Sequence, residues 1–355
     1  MIEKSRKFLE ELLMTYSPSG SEENFQNKWI EYVKEYADEI RTDLSGNAIG
    51  IINPEADFKV LLAGHADEIS FIVNYIDDNG FIYVQKSGGI NPKLALGKRV
   101  KVLGTKEVYG AVGVVAEHQG GAKDKLKVSD IFIDVGASSK KDLEGIIRVG
   151  DFVVYDVSYK HLMNNNIVAR GLDNKTGSFI VAEVIRELSK ENIDIGVYSV
   201  STVSEETIKN GAYFAASQIK PDIAIAVDVT FATDYPGMNK CEHGDVKLGN
   251  GPVISMGSPI NKVVNNIFVE TAKEEKISLQ YELTPAKTGT DADQLRVTGK
   301  GVATALMSLP LRYMHSPSEV VNMIDIENEI KLLVGSIKKI KRDIDLKPLG
   351  KNYVD

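Results

Sequence analysis

The run Val60-Leu61-Leu62-Ala63-Gly64-His65-Ala66-Asp67-Glu68 places four apolar residues in succession, then breaks into a glycine, an imidazole and two carboxylates. A short, continuous apolar run reads as a strand buried on both faces, as in an α/β sheet covered by helices. In open sheets of that kind, ligands bind beyond the carboxyl ends of the strands. His65, with Asp67 two residues on, therefore stands where a site is expected.

Working outward, residues 1–50 read as two amphipathic helices separated by SPSGS, with Ser21 as N-cap of a second helix from about Glu22 to Ile40. From Ile69 to about Val157, short runs such as FIVNYI, KRVKVLG, VYGAVGVVAEH and DFVVYDV are split by Gly, Asn and Asp. That pattern predicts a β-rich, barrel-like module in which only SSKKDLEGI is helical. After RGLDNKTG the α/β pattern returns, with a helix over Phe179 to Glu191 and strands over Val197 to Val203, Ile223 to Val227 and Val302 to Leu309. Further helices begin near Asn261 and span about Asp325 to Asp343. The predicted class is α/β, a mixed central sheet flanked by helices. Residues 1–67 and 164–355 form one discontinuous domain, and residues 68–163 form a β-rich insertion.

Composition narrows the function. The 355 residues suit two domains, and Lys plus Arg number 42 against 50 Asp plus Glu, a formal net charge of −8. Nucleic-acid binders carry a basic face, so no nucleic-acid partner is expected. The lone Cys241 permits no internal disulfide and suits a reducing cytosol. MIEKSRKFLEELLMTY mixes charges into its apolar stripe and lacks the features of a signal peptide. No run approaches the ~18 apolar residues of a membrane span. A cytoplasmic enzyme with no membrane partner is the expectation.

The chemistry collects where strands end. His65 follows one buried run, Glu205 and Glu206 follow VYSVSTVS, Asp228 follows IAIAV, and His315 follows the strand ending in SLP. Asp173, in GLDNKTG, crosses the same edge just before a helix. Two imidazoles with several carboxylates suit a pair of Zn²⁺, Co²⁺ or Mn²⁺ ions. Such pairs polarise a carbonyl and acidify water, and one further carboxylate must then handle the proton. Glu205 and Glu206 can divide that work if one turns to a metal and the other to the water. Taken singly, each residue has a plain reading: a His after a strand is often structural, a Glu pair is usually solvated, and an Asp before a helix is usually a cap. Their recurrence at strand ends is what points to a site.

Other candidates carry less. His118, His161 and His243 lie in loops without ligand partners nearby, and Cys241 lacks the local signature of a nucleophile. Gly88-Gly89 and Gly120-Gly121 fit hairpin turns, because neither pair opens a helix. Asp291 and Asp293 in TGTDADQ either orient a metal-bound histidine or start a helix.

Seven segments occur in order: HADEI, GLDNKTG, SEETIKNGA, AVDVT…YPG, LGNGP, TGTDAD and LPLRYMHSPSEVV. Together they resemble the tetrahedral dinuclear-metal aminopeptidases, metallopeptidase family forty-two, over nearly the whole chain. The family includes glutamyl and leucyl aminopeptidases and members once classed as cellulases. The resemblance implies two divalent ions per subunit, Zn or Co with Mn as a third choice. Asp173 would bridge them, His65 and Asp228 completing one, Glu206 and His315 the other. It further implies Glu205 as general base, Asp67 as the residue that orients His65, and a cis peptide bond after Asp173. It also implies that the insertion mediates dimer contacts and that dimers build a hollow dodecamer acting on short peptides. Ala66, Ser70, Asn174, Lys175, Thr207 and Ile208 depart from the family pattern without removing a ligand. The rival readings are a carboxypeptidase or deacylase on the same metal scaffold, a glycosidase, and an inactive scaffold protein. A glycosidase would ordinarily use two carboxylates and give two histidine ligands no purpose.

Overall fold

The structure is a computed structural model and describes residues 1–349. The chain opens its main sheet with β1 (Glu39–Thr42), β2 (Ala48–Ile52) and β3 (Lys59–His65). It then leaves for β4 (Ser70–Ile76), β5 (Ile82–Ser87), β6 (Arg99–Leu103), β7 (Glu107–Val112), β8 (Phe132–Asp134) and β9 (Phe152–Tyr155). These close into a barrel in the order β4-β5-β8-β7-β6-β9. Two short strands, β10 (Lys160–His161) and β11 (Asn166–Ala169), lead back. Then follow β12 (Gly196–Thr202), β13 (Ile223–Phe231), β14 (Val253–Met256), β15 (Gln280–Leu283), β16 (Ala303–Leu311) and β17 (Glu319–Asn322). The main sheet has eight strands in the order β1-β2-β12-β3-β13-β16-β14-β15, and β10, β11 and β17 form a small separate sheet. Its four middle strands run parallel, while β2 and β14 join antiparallel at either side. The fold is therefore the predicted mixed α/β sheet with a barrel inserted between β3 and the helix Leu172–Leu188. No helix among the described residues is long and apolar enough to cross a membrane.

The quoted apolar run shows why both faces of the sheet are buried. Side chains alternate across a strand, so Val60 and Leu62 enter a large core with Phe8, Phe25, Phe179, Phe268 and Ile326 from five helices. Leu61 and Ala63 enter a smaller core with Ala212, Ala215 and Leu295 on the other face. The barrel fills its own core with Phe71, Val84, Val100, Ile133 and Val153. A Cβ on Gly64 would lie 2.4 Å from the main chain of Gly177. The helix Leu172–Leu188 thus crosses β3 backbone to backbone, and overpacking such a crossing costs about 1–3 kcal/mol. That contact sets the helix start, with Asp173, beside the end of β3.

Some local expectations give way to tertiary pairing. The second helix covers Glu23–Val33 and stops short of Ile40. The fully buried β2 recruits Glu39–Thr42 as its antiparallel neighbour, and this outweighs the helical pattern. Ser21 does not cap the helix; the N-cap is Glu22, with no side-chain cap bond. The strand predicted over Ile223 to Val227 runs on to Phe231, so Asp228 lies within it. In the barrel, SSKKDLEGI holds only a single 3-10 turn, Lys140–Leu143, and a short helix at Pro92–Ala95 also appears.

Candidate metal centre

Strand register assembles the first half of the centre. Ala63 pairs with Ala226 across β3 and β13, and two residues beyond each stand His65 and Asp228. Alternation puts both on the face that carries Leu61, Ala63, Ala224 and Ala226. Thr202, the last residue of β12, pairs with His65 and leads directly to Glu205 and Glu206. The Asp173–Asn174 peptide bond is cis. Asn174 donates from Nδ2 to the Val227 carbonyl at 2.7 Å and accepts from the Gly177 amide at 2.9 Å. An aspartate could not make the first of these bonds, which ties the helix start to β13 one residue before Asp228.

Two trios of donor atoms result. His65, Asp173 and Asp228 offer atoms within 4.8 Å of one another, and so do Asp173, Glu206 and His315. Asp173 belongs to both: one oxygen lies 3.3 Å from His65 Nε2 and the other 3.3 Å from His315 Nε2. Glu205 stands 3.7 Å from His65 Nε2, and its other oxygen pairs with Lys209 Nζ at 2.6 Å. Both imidazoles are fixed through Nδ1, His65 on the Asp67 carbonyl at 3.0 Å and His315 on the Gly89 carbonyl at 3.1 Å. An Nδ1–H donated to a carbonyl leaves Nε2 free to bind a metal.

The electrostatics call for cations. Four carboxylates, those of Asp173, Glu205, Glu206 and Asp228, converge with Asp67 on two imidazoles and one lysine, all but Lys209 and His315 buried or nearly so. Burial pushes Asp228 and Glu206 well above the ordinary carboxylate range; the charge of Asp173 adds for Glu206, and those of Glu205 and Asp173 add for Asp228. Burial alone would raise Asp173 as well, but its bonds to the two histidines bring it below its usual value. Glu206 Oε1 is buried without a hydrogen-bond partner, and a buried unpaired acceptor is costly. A divalent cation would satisfy that oxygen and the excess negative charge, so the donor set fits a pair of metals.

Residues 46–332 match the M42 glutamyl aminopeptidase family. The chain belongs to that family. A lysyl aminopeptidase of Pyrococcus furiosus is 35% identical to it over 318 residues, which cover 88% of this chain and 90% of the relative. Among solved structures, a TET aminopeptidase from a marine-sediment thaumarchaeote superposes with a TM-score of 0.90 at 29% identity, covering 96% of this chain and 97% of the other. The Pyrococcus horikoshii TET1 peptidase, which can assemble into a tetrahedron or a large octahedral shell, gives 0.84 at 28% identity over 95% of this chain and 100% of its own. Membership in M42 makes the chain a hydrolase, an aminopeptidase and a user of divalent metal. It favours the aminopeptidase reading over the carboxypeptidase one. A Thermotoga maritima structure described as an endoglucanase also superposes, with a TM-score of 0.76 at 27% identity over 93% of this chain and 96% of the other.

Within this M42 site, two buried carboxylates do work that the sequence only partly disclosed. Asp67 lies 3.4 Å from His65 Nδ1, yet its main bonds are to the amides of Glu205 and Glu206 at 3.0 and 3.1 Å and to the Ser19 hydroxyl. Glu319 accepts from the amides of His315 at 2.8 Å and Asp173 at 3.1 Å. Each carboxylate therefore holds the backbone of two site residues, and Glu319 sat unremarked inside SPSEVV. Gly89 is the second omission. Read as part of a hairpin turn, it supplies the carbonyl for His315, and a Cβ there would lie 2.5 Å from His315 Nδ1. Asp291 orients no histidine; it starts the short helix Ala292–Leu295 from the N-cap position without a side-chain cap bond. Its side chain instead accepts from Thr202 Oγ1 at 2.6 Å, and burial, with Glu205 adding, pushes it up to about 7. Asp293 accepts from the amides of Thr288 and Gly289. His118 and His161 are exposed and stand apart from the site. His243 and Cys241, also exposed, line the outer part of a cleft of about 700 Å³ that opens from the centre between β13 and the Tyr281–Thr290 segment.

Proposed function

We propose that the chain removes N-terminal residues from short peptides at two divalent ions, with Asp173 bridging them. His65 and Asp228 would complete one ion, and Glu206 and His315 the other. Zn²⁺ or Co²⁺ suits this nitrogen-and-oxygen set, with Mn²⁺ as the third choice. When bound, the ions supply Lewis acidity toward a carbonyl and lower the pKa of a water to ~7. Glu205 takes a proton from the attacking water and returns it to the leaving amine. Lys209 holds one oxygen of that carboxylate, leaving the other turned toward His65 and the centre. Asp67 keeps Glu205 and Glu206 in register by binding both amides.

The observation that carries this reading is the placement of Asp173 between the two trios. Metal analysis of active protein should find two divalent ions per chain. Chelation should abolish cleavage of aminoacyl amides, and Zn²⁺ or Co²⁺ should restore it. Undiminished turnover in metal-stripped protein would overturn the mechanism.

The same reading assigns residues 1–67 with 164–355 to catalysis and residues 68–163 to association. The barrel has its own core and leaves Tyr75, Tyr109 and Val149 more than half exposed, at 51%, 65% and 65%. The shells formed by the Pyrococcus horikoshii relative support a homo-oligomer, with a dodecamer built from dimers as the expected form. Light scattering that found only monomers at micromolar concentration would remove the association role and leave the chemistry intact. The free Cys241 accords with a cytoplasmic location.

A further inference from the structure

Outside the metal centre, one buried carboxylate gathers the chain on both sides of the bridging ligand. Glu68 lies just past the end of β3 and is 3% exposed. Its Oε1 accepts from Lys175 Nζ at 2.7 Å and from the Ser17 amide at 3.0 Å. Its Oε2 accepts from the Arg170 guanidinium. Arg170 precedes Asp173 by three residues, and Lys175 follows it by two. Between them Gly171 packs so closely that a Cβ there would lie 3.0 Å from Glu68 Oε2.

Both cationic side chains are also fixed by a second partner. Lys175 Nζ donates to the Thr15 carbonyl at 2.6 Å. The Arg170 guanidinium lies 4.3 Å from the centroid of the Tyr16 ring, within cation–π range. Residues 15–17 are in turn bound to the chain leaving β3. The Glu68 amide donates to the Ser17 carbonyl at 2.9 Å, and the Ser17 hydroxyl donates to the Ala66 carbonyl at 2.7 Å. One carboxylate thus joins three separate stretches of chain, and Ser17, Arg170 and Lys175 are all buried with it.

The stretch that Glu68 spans needs such support. Asp173 and Asn174 have non-helical backbone angles inside the helix Leu172–Leu188. The regular helical ladder therefore does not fix the residue that both trios share. Yet the two Asp173 oxygens lie 3.3 Å from two different imidazoles, and a displacement of about 1 Å in a reacting geometry can cost on the order of 10²-fold. A buried ion cluster is weak grounds for stability, because desolvation offsets its attraction; setting register is its better-attested use.

Resting on the two-ion reading above, we propose that Glu68 is a positioning residue for the bridging ligand, holding Arg170 and Lys175 so that Asp173 faces both ions at once. Disturbing Glu68 then weakens both ions together. The test titrates the Zn²⁺-loaded native protein and two variants with a competing chelator, a readout that needs no turnover. Glu68→Gln should raise both dissociation constants by about 10–100-fold, the usual effect of losing a group that supports a ligand. Lys175→Met leaves Glu68 paired with Arg170 alone, strands no buried charge, and should raise both by about 10-fold. Circular dichroism and Tm at saturating Zn²⁺ report folding. Failure of both variants to fold, or a lowered Tm with both constants unchanged, would make the cluster purely structural and overturn the proposal. Weakening confined to the ion of Glu206 and His315 would mean that Glu68 acts through neighbouring Asp67, and would overturn it equally. Native protein that binds fewer than two ions sinks the two-ion reading and this proposal with it. Two native ions with unaltered variants sink the proposal alone.

Discussion

The two halves of the centre are built differently. His65 ends an internal strand, its side chain is 1% exposed, and its neighbours come from parallel strands in fixed register. His315 lies four residues beyond β16, in left-handed backbone at φ 60°, with its side chain 33% exposed. Non-glycine residues seldom adopt that conformation, and Glu319 holds it by accepting the His315 amide. The imidazole is then aimed by Gly89, which lies between β5 and the short helix Pro92–Ala95 of the inserted segment. One half is thus a property of the sheet. The other exists only when the loop after β16 and the insertion meet, so its ion should be the more labile.

Asp173→Ala should erase that difference, because both halves lose their shared ligand. Turnover should fall by on the order of 10³–10⁵, several kcal/mol of stabilisation, and metal analysis should show both sites depleted. Retention of one full equivalent would mean that the halves are independent. Glu205→Gln should spare both ions while cutting kcat by about 10²–10⁴. Metal loss from that variant would instead make Glu205 a ligand and reverse its role with Glu206. Gly89→Ala probes the asymmetry itself. Its methyl would displace His315, so affinity for one ion should weaken about 10–100-fold, with the other unchanged in a competitive chelator titration. Uniform weakening of both ions would abolish the contrast. The smallest effect is expected from Asn174→Asp, which cannot donate to the Val227 carbonyl and should cost about 1–3 kcal/mol of stability. Chemical denaturation would measure it; an unchanged midpoint would show that the bond does not tie the helix to β13.

The same contrast explains what the sequence could disclose. Strand-borne residues are legible because a buried apolar run announces both the strand and its end, as VLLAG does for His65. Asp228 joins the first trio even though its strand runs four residues further than predicted. Gly89 acts through a main-chain carbonyl, which no residue type signals. Glu319 acts on the amides of Asp173 and His315, the former 146 residues away, and only folding brings them together. The missed β1 and the shortened second helix share that cause. Edge pairing is decided by the partner strand, and local periodicity around Ile40 does not encode it.

The ligands are also spread along the chain. The first, His65, and the last, His315, are 315 − 65 = 250 residues apart. At a synthesis rate of about 5–20 residues per second, roughly 10–50 s separate their emergence from the ribosome. Throughout that interval the growing polypeptide holds at most an incomplete centre. A peptide-cutting centre therefore cannot be completed before His315 has been synthesised.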